Sequence, residues 1–350
     1  MMPNNQPKAT ASKDELAKSQ WHFAPDLPIG NNPLFEWPWS LRKILSYHRD
    51  YWLTVSEVSF FLLLAIAGWY LQQRALMTAP ELSLSGTFFS WEMASWEMAS
   101  WGGAIYARNL VITLAVAGGL HYLLYHRKIQ QTETKYIANF LHRGGGKFSF
   151  GNQLYDNMFY SLVSGVTIWS AYEITLHGMI ATGQISFLSF ASSPLLFIAI
   201  LGLTGVWIAF HFYLVHRLLH MGVLYDWVHS LHHRNVNVGP WSGISMHPIE
   251  HMLYFSSMLI HLVIPSHPIH IMFHGYMLAL SAIIGHAGFH ELLVGQSRRV
   301  ALGHFHHQLH HRYFECNYGS VDFPMDVWFG TFHDGTEQAR QRLKQRLGPR

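Results

Sequence analysis

The hydrophobic positions of the chain are concentrated in apolar runs long enough to cross a lipid bilayer. A helix needs about 20 mostly apolar residues to cross about 30 Å of hydrocarbon. Four runs meet this requirement: residues 51–71, 105–125, 158–180 and 195–215. Two shorter runs, 252–264 and 269–284, flank a Pro-Ser-His-Pro break, which favours a short helical hairpin. The pattern predicts an all-α integral membrane protein with four transmembrane helices plus this hairpin.

Basic residues set the predicted orientation, because Lys and Arg are enriched in cytosolic loops near the ends of spans. Five of them lie between the second and third spans: Arg127, Lys128, Lys135, Arg143 and Lys147. Between the first and second spans there is only Arg74. The N-terminus, the basic loop 126–150 and the chain after the fourth span are therefore predicted to face the cytosol. Loop 72–104 is predicted to face the non-cytosolic side. If the protein is bacterial, the membrane is expected to be the inner membrane.

This pattern divides the chain into four predicted regions. Residues 1–50 are polar and are expected to form a loosely ordered cytosolic segment, followed by a transmembrane region over 51–200. Residues 201–335 contain most of the histidines and are expected to form a helical cap on the cytosolic face. Residues 336–350 form a basic C-terminal tail.

Composition supports the membrane assignment and narrows the possible chemistry. Only 12% of the residues are charged and 50% are hydrophobic, whereas about 25% charged residues is usual for a soluble domain. The formal net charge of +3 gives no reason to expect a nucleic-acid partner. The single cysteine, Cys316, excludes an intramolecular disulfide and a cysteine-rich metal site.

Histidine is the outlier: there are 26 in the chain, and they include four clusters with the spacing of metal ligands. Two clusters read His-x-x-x-His and two read His-x-x-His-His, so that each would present its imidazoles from one face of a helix. The ten candidate ligands are His216, His220, His229, His232, His233, His286, His290, His307, His310 and His311. Ten imidazoles are too many for one ion and enough for two, so the sequence predicts a dinuclear site.

Other histidines and the nearby acids are weaker candidates. His247 and His251 are expected to shape the site more than to bind the metal. His211, His304 and His306 flank the clusters and would be ligands only if a cluster used a different helical register. Six acidic residues lie close enough in sequence to accept hydrogen bonds from the imidazoles: Asp226, Glu250, Glu291, Glu315, Asp322 and Asp326. Imidazoles alone suit Fe, Zn, Cu or Ni. Five ligands for each ion would leave an open position, which favours redox-active iron over structural zinc.

These motifs resemble the fatty acid hydroxylase/sterol desaturase superfamily. The resemblance is carried by the histidine clusters together with Pro240-Trp241-Ser242-Gly243, His247-Pro248 and Asn317-Tyr318-Gly319, and it extends over about 207–331. It implies that 201–335 is the catalytic region of a membrane di-iron oxygenase, with two iron ions and O₂ as co-substrate. Sterol-type members often have an acidic residue near the position of His290, and fatty acid hydroxylases often space the first pair by one more residue. His290 is therefore the least secure ligand, and His211 is an alternative member of the first pair.

The resemblance implies the hydroxylation or desaturation of a membrane lipid such as a sterol, a hopanoid or a fatty acyl chain. Aromatic residues of the spans are candidate walls for its binding pocket: Trp169, Trp207, Phe210 and Phe212. Electrons would come from a small acidic electron-transfer protein with its reductase, and Arg298, Arg299 and Arg312 are candidates for its docking surface. Two other functions remain open, a metal transporter and a zinc-dependent membrane lipid hydrolase. Ligands outside the spans argue against the transporter, and the number of ligands argues against the hydrolase.

Overall fold

The protein is described by a computed structural model that covers residues 21–52, 56–77, 96–295 and 298–348. The fold is mostly helical, which confirms the predicted all-α membrane class. The first half contains α1 (Leu41–Trp52), α2 (Glu57–Met77), α3 (Trp96–Thr113), α4 (Gln153–Tyr160) and α5 (Val166–Ala181). The second half contains α6 (Pro194–Leu219), α7 (Ser230–His233), α8 (Pro248–Phe255), α9 (Pro268–Gly285), α10 (Phe305–Tyr313), α11 (Met325–Trp328) and α12 (Glu337–Leu347). A single antiparallel hairpin, β1 (Glu291–Val294) and β2 (Arg298–Ala301), is the only sheet in the described part of the chain.

Four candidate spans are long and apolar enough to cross a membrane: Leu41–Gln72, which runs over the undescribed residues 53–55, Ser100–His126, Pro194–Leu219 and Pro268–Gly285. Three of them contain the predicted spans 51–71, 105–125 and 195–215. The predicted span 158–180 lies in the helical stretch formed by α4, a π-helical turn and α5, but it is not one of the four. Instead α9, predicted as half of a hairpin, qualifies. The membrane class is therefore confirmed, whereas the number and direction of the crossings stay predictions.

Helix α9 is the centre of the core. Within its span 83% of the residues are buried inside the protein, against 17% for α6. It packs against α2, α5 and α6, and its apolar side chains from Ile271 to Ile284 form much of the hydrophobic core. Because α9 is central, its C-terminal end is held firmly, and His286 follows that end directly.

The N-terminal segment differs from the expectation of a loosely ordered lead-in. Residues 21–33 cross the histidine-rich region as an extended strap, whose backbone donates from His22 to Tyr136, from Ile29 to Asp334 and from Asn32 to Val321. Trp21 is buried with its ring centroid 5.0 Å from that of Phe305 on α10. The strap could not be predicted from the polar composition of 1–50, because only a few apolar side chains anchor it. Residues 1–20 lie outside the described part of the chain, as do residues 78–95 of the predicted loop 72–104.

Candidate metal centre

Nine of the ten predicted histidine ligands come together in two groups. The first group contains His216, His220, His229, His233 and His310. The second group contains His232, His286, His307 and His311. Within each group one nitrogen of every ring lies within 4.8 Å of one nitrogen of every other ring. The two groups are composed of imidazole alone, as the clusters predict.

The first group forms where three separate helical segments converge. His216 and His220 lie one turn apart at the C-terminal end of α6. The Nε2 atom of His216 is 3.0 Å from Nε2 of His229, which ends a short π-helical turn before α7. On the other side of the group, Nε2 of His233 lies 3.0 Å from that of His220 and 2.9 Å from that of His310 on α10.

The second group lies between α7, the end of α9 and α10. The Nε2 atom of His311 is 3.1 Å from those of both His286 and His307. His232 completes the group, with its ring centroid 4.7 Å from that of His311. His307 is only half-buried, whereas the other three residues are buried. This group therefore has one side that is not fully enclosed by protein.

Adjacent residues connect the two groups. His232 and His233 are consecutive on α7, and His310 and His311 are consecutive on α10, yet one member of each pair belongs to each group. Consecutive side chains on a helix point about 100° apart, so each His-His pair contributes to two neighbouring sites. The rings of His233 and His311, which belong to different groups, have centroids only 4.9 Å apart. The arrangement is one dinuclear candidate centre and not two remote sites.

Hydrogen bonds at Nδ1 orient five of the nine rings. His216 Nδ1 lies 2.6 Å from the carbonyl oxygen of Tyr318, and His310 Nδ1 lies 2.6 Å from that of Cys316. His286 and His232 make the same kind of contact to the carbonyls of Ala282, at 2.7 Å, and Ser245, at 3.2 Å. His229 Nδ1 is 2.7 Å from Oε1 of the buried Glu250. Because a carbonyl oxygen can only accept, the four carbonyl contacts place the imidazole proton of those rings on Nδ1 and leave Nε2 as a bare lone pair.

The facing lone pairs fit a metal ion. In the pair of His216 and His229, Nδ1 of His216 faces a carbonyl and Nδ1 of His229 faces Glu250, so when Glu250 is ionised neither Nε2 has a proton to donate across the 3.0 Å gap. Two such acceptors repel each other unless a cation lies between or beside them. Burial also holds the rings neutral, since it lowers the pKa of His229, His233, His310 and His311 well below the usual value. Neutral imidazoles with free Nε2 atoms are the form that binds transition metals.

His290 is not part of either group, so the arrangement does not support its prediction as a ligand. The prediction assumed that His286 and His290 lie one turn apart on a helix, but α9 ends at Gly285. Gly288 has φ +76°, and a Cβ there would lie 2.4 Å from the Tyr125 hydroxyl and 2.7 Å from the Val238 carbonyl. The chain turns away at this glycine, and His290 Nδ1 instead lies 3.2 Å from the hydroxyl of Tyr136.

The other candidate histidines have structural contacts. His247 caps α8 by accepting from the backbone of Ile249, and His251 contacts the Ile244 carbonyl at 3.0 Å. His211 lies 3.0 Å from the hydroxyl of Ser256. None of these three residues belongs to either group.

Of the six predicted acidic acceptors, Glu250 alone contacts one of the nine clustered rings among the described residues. Asp326 does not touch a clustered ring but holds the loop that does. It accepts hydrogen bonds from the backbone N–H groups of Tyr318 and Gly319, at 2.9 and 2.7 Å, and from the Thr331 hydroxyl at 2.6 Å. It thereby fixes the Tyr318 carbonyl that orients His216. The sequence gives no signal for the four carbonyl acceptors, because any residue type supplies a carbonyl.

Replacing Glu250 with alanine is expected to lower the affinity of the first group for metal by about 10- to 100-fold, the usual cost of losing such an outer partner. Glu250→Gln keeps an acceptor oxygen for His229 and is expected to lose less. Glu291→Ala is the matched control, because its carboxylate lies 2.9 Å from Arg299 on the β-hairpin. Equilibrium metal titration of the stripped proteins measures the effect, and equal affinities for the alanine variants would show that Glu250 does not support His229.

Comparison with known proteins shows what the histidine-rich region is similar to. Residues 201–331 match the family described as fatty acid hydroxylase. A Delta(7)-sterol 5(6)-desaturase of Gibberella zeae is 32% identical over 123 residues, which cover 34% of this chain and 37% of that protein. A Delta(7)-sterol-C5(6)-desaturase of Nicotiana tabacum is 29% identical over 140 residues, covering 39% of this chain and 50% of that protein.

A further Delta(7)-sterol 5(6)-desaturase, from Aspergillus fumigatus, is 28% identical over 157 residues that cover 39% of this chain and 48% of that protein. The chain thus spans half or less of the length of these relatives. No solved structure gives a significant match. All nine clustered histidines fall inside the matched region, and the resemblance seen in the sequence is confirmed: residues 201–331 of this chain match the fatty acid hydroxylase family and are similar to sterol desaturases.

Proposed function

We propose that this protein is a membrane di-iron oxygenase that hydroxylates or desaturates an unactivated C–H position of a lipid, with O₂ as co-substrate and electrons from an external donor. One observation carries the proposal. Two adjacent all-histidine groups, with Nε2 atoms about 3 Å apart and facing each other, lie at the C-terminal ends of apolar helices α6 and α9. The names of the relatives support an oxidoreductase that acts on sterols.

The residues present fit two iron ions. His216, His220, His229, His233 and His310 would hold one ion, and His232, His286, His307 and His311 the other. Such nitrogen-only sites disfavour soft-metal binding and suit redox-active iron. When bound, the two ions would supply the electrons and the Lewis acidity that the activation of O₂ requires.

The protein residues provide rigidity and exclude water. All nine histidines except His220 and His307 are buried, so bulk water is kept from most of the centre. The half-buried His220 and His307 mark the sides from which O₂ and the lipid would approach.

An apolar approach to the centre is provided by Phe212 on α6. Its ring stacks on His216 with centroids 4.8 Å apart and lies 6.3 Å from His307. It therefore lines the path from the bilayer to the half-buried edge of the second group. Trp169, the first of the predicted pocket walls, is instead fully buried and stacks on Phe255 inside the core.

Iron content together with lipid-dependent O₂ consumption tests the proposal. The purified, iron-loaded protein, supplied with a reductant and lipid extract, should consume O₂ and convert one lipid species to an alcohol or an alkene. A metal transporter would show neither conversion, and a zinc-dependent hydrolase would release a product without O₂. Comparing the lipids of cells with and without the gene identifies the substrate class.

We also propose that the centre faces the cytosol and that an acidic electron carrier docks on its basic surface. Arg299 on β2 is exposed and pairs with Glu291, and the guanidinium of Arg312 lies 4.2 Å from the ring of Trp21. The predicted third member, Arg298, has a side chain outside the described part of the structure.

Reversal of the Arg299 charge tests the docking proposal. Arg299→Glu should slow turnover with the natural carrier and leave metal content unchanged, and rising salt should have the same effect, since the Debye length is about 10 Å at 0.1 M. Arg143→Glu, in the basic loop, is the control. Turnover that is insensitive to both the reversal and salt would contradict docking at this surface. Labelling of a cysteine introduced at Gly145 from the non-cytosolic side would contradict the orientation.

A further inference from the structure

A second polar site lies beside the metal centre and uses none of its ligands. Glu57 begins α2, inside a candidate membrane span, and its side chain remains 23% exposed. His304 lies directly before α10, and its side chain is 55% exposed. Their facing atoms, Oε1 of Glu57 and Nε2 of His304, are 4.0 Å apart. An ionisable side chain within a membrane span is costly, so its retention calls for a functional explanation.

Neighbouring contacts hold both side chains in place. Ser281, near the C-terminal end of α9, lies beside the Glu57 side chain. The backbone N–H of His304 donates to the carbonyl of Gly285 at 3.1 Å. A Cβ on Gly285 would lie 3.1 Å from His304 Nδ1, so the absence of a side chain there lets the ring lie against the end of α9. We call Glu57, Ser281 and His304 the polar cleft.

The polar cleft is tied to the second metal group through two helices. His304 precedes His307 by three residues at the start of α10, and Ser281 precedes His286 by five residues at the end of α9. The cleft therefore lies beside the ends of the two helices that lead into the second metal group.

Charge in and around the cleft selects the chemistry of the ligand. A second carboxylate, that of Asp322, is close enough to act on both Glu57 and His304, and the hydroxyl of Tyr47 donates to it. Two carboxylates would repel an anionic headgroup. The cleft nevertheless offers an acceptor at Glu57 and a donor at His304, so a group that both donates and accepts satisfies it best.

The 4.0 Å separation fits one bridging oxygen. It is too long for a direct hydrogen bond between Nε2 and Oε1. An oxygen about 2.8 Å from each atom would complete two normal hydrogen bonds. We propose that Glu57 and His304 bind the hydroxyl group of an amphiphilic lipid alcohol, with Glu57 accepting its proton and His304 donating to its oxygen. This inference rests on the proposed lipid-oxidising function, for which the cleft would place the alcohol end beside the metal centre.

The test compares an alcohol with its ketone, because the ketone keeps the acceptor oxygen and loses the proton. The full-length protein in detergent is titrated without O₂ with radiolabelled 5α-cholestan-3β-ol and with 5α-cholestan-3-one. The alcohol is expected to bind about tenfold more tightly, the upper end of the usual contribution of one hydrogen bond. Glu57→Leu, which has no acceptor oxygen, should remove most of this preference, and His304→Phe should weaken both ligands.

Glu291→Leu is the control, because that carboxylate is 22% exposed, close to the 23% of Glu57, but lies on the β-hairpin. It should keep the wild-type preference. Equal binding of alcohol and ketone by the wild-type protein would overturn the proposal and leave only water in the gap, whatever the folding of the variants. A protein that prefers the alcohol but never consumes O₂ would instead contradict the proposed function and leave this binding site intact.

Discussion

Replacing His310 with alanine is expected to abolish turnover and to remove the metal ion of the first group. The Nε2 atom of His310 lies 2.9 Å from that of His233 and 3.2 Å from that of His220, so it is central to that group. No neighbouring side chain can supply the lost nitrogen. The expected loss of activity therefore exceeds the roughly 10- to 100-fold that accompanies the loss of an outer partner. Metal analysis and turnover of the purified variant measure both effects.

The adjacent substitution His311→Ala should remove the other ion, because His311 belongs to the second group. His126→Ala is the control, since that side chain is exposed at the end of a long helix and lies in neither group. His290→Ala should also keep both ions. Loss of metal from the His290 variant as severe as that from the His310 variant would contradict the assignment of the two groups.

Replacing Asp326 with asparagine is expected to lower the free energy of unfolding by about 3 kcal/mol, near the upper end for leaving a buried hydrogen-bonding group unpaired. Asp326 is buried and accepts from three donors, the backbone of Tyr318, the backbone of Gly319 and the Thr331 hydroxyl. An asparagine has one carbonyl oxygen, so its NH₂ group would face one of these donors. Thermal unfolding in detergent, with and without metal, measures the loss.

Asp334→Asn is the matched control for Asp326. Asp334 also accepts from a backbone N–H and a hydroxyl, both of Thr336, but its side chain is 20% exposed, so water can replace a lost partner. Its substitution should cost about 1 kcal/mol or less. Equal destabilisation by the two substitutions would show that the Asp326 network does not fix the loop that orients His216.

The sequence predicts the membrane class and nine clustered histidines because both depend on local regularities. Hydrocarbon thickness sets the length of an apolar run, and helical spacing places His307, His310 and His311 on neighbouring turns. The prediction that His290 lies one helical turn after His286 is wrong, because α9 ends at Gly285 and the chain turns at Gly288. A His-x-x-x-His spacing has meaning only where the helix continues.

The division into two groups could not be predicted from spacing. His232 and His233 belong to one sequence cluster but to different groups, and this depends on how α6, α9 and α10 approach α7 in space. The carbonyls of Tyr318 and Cys316 that orient two rings are equally invisible, because their role comes from backbone position. Glu57 was visible as an ionisable residue in a span, but its partner His304 is distant in sequence.

Metal stoichiometry tests the central claim, that the two histidine groups form one dinuclear iron centre. The full-length protein, produced aerobically with adequate iron and purified in mild detergent, should contain two iron ions per chain by elemental analysis. Stripping the metal and adding iron back should restore two ions to the wild-type protein and one to His310→Ala. One ion or fewer per fully folded wild-type chain would contradict the dinuclear centre.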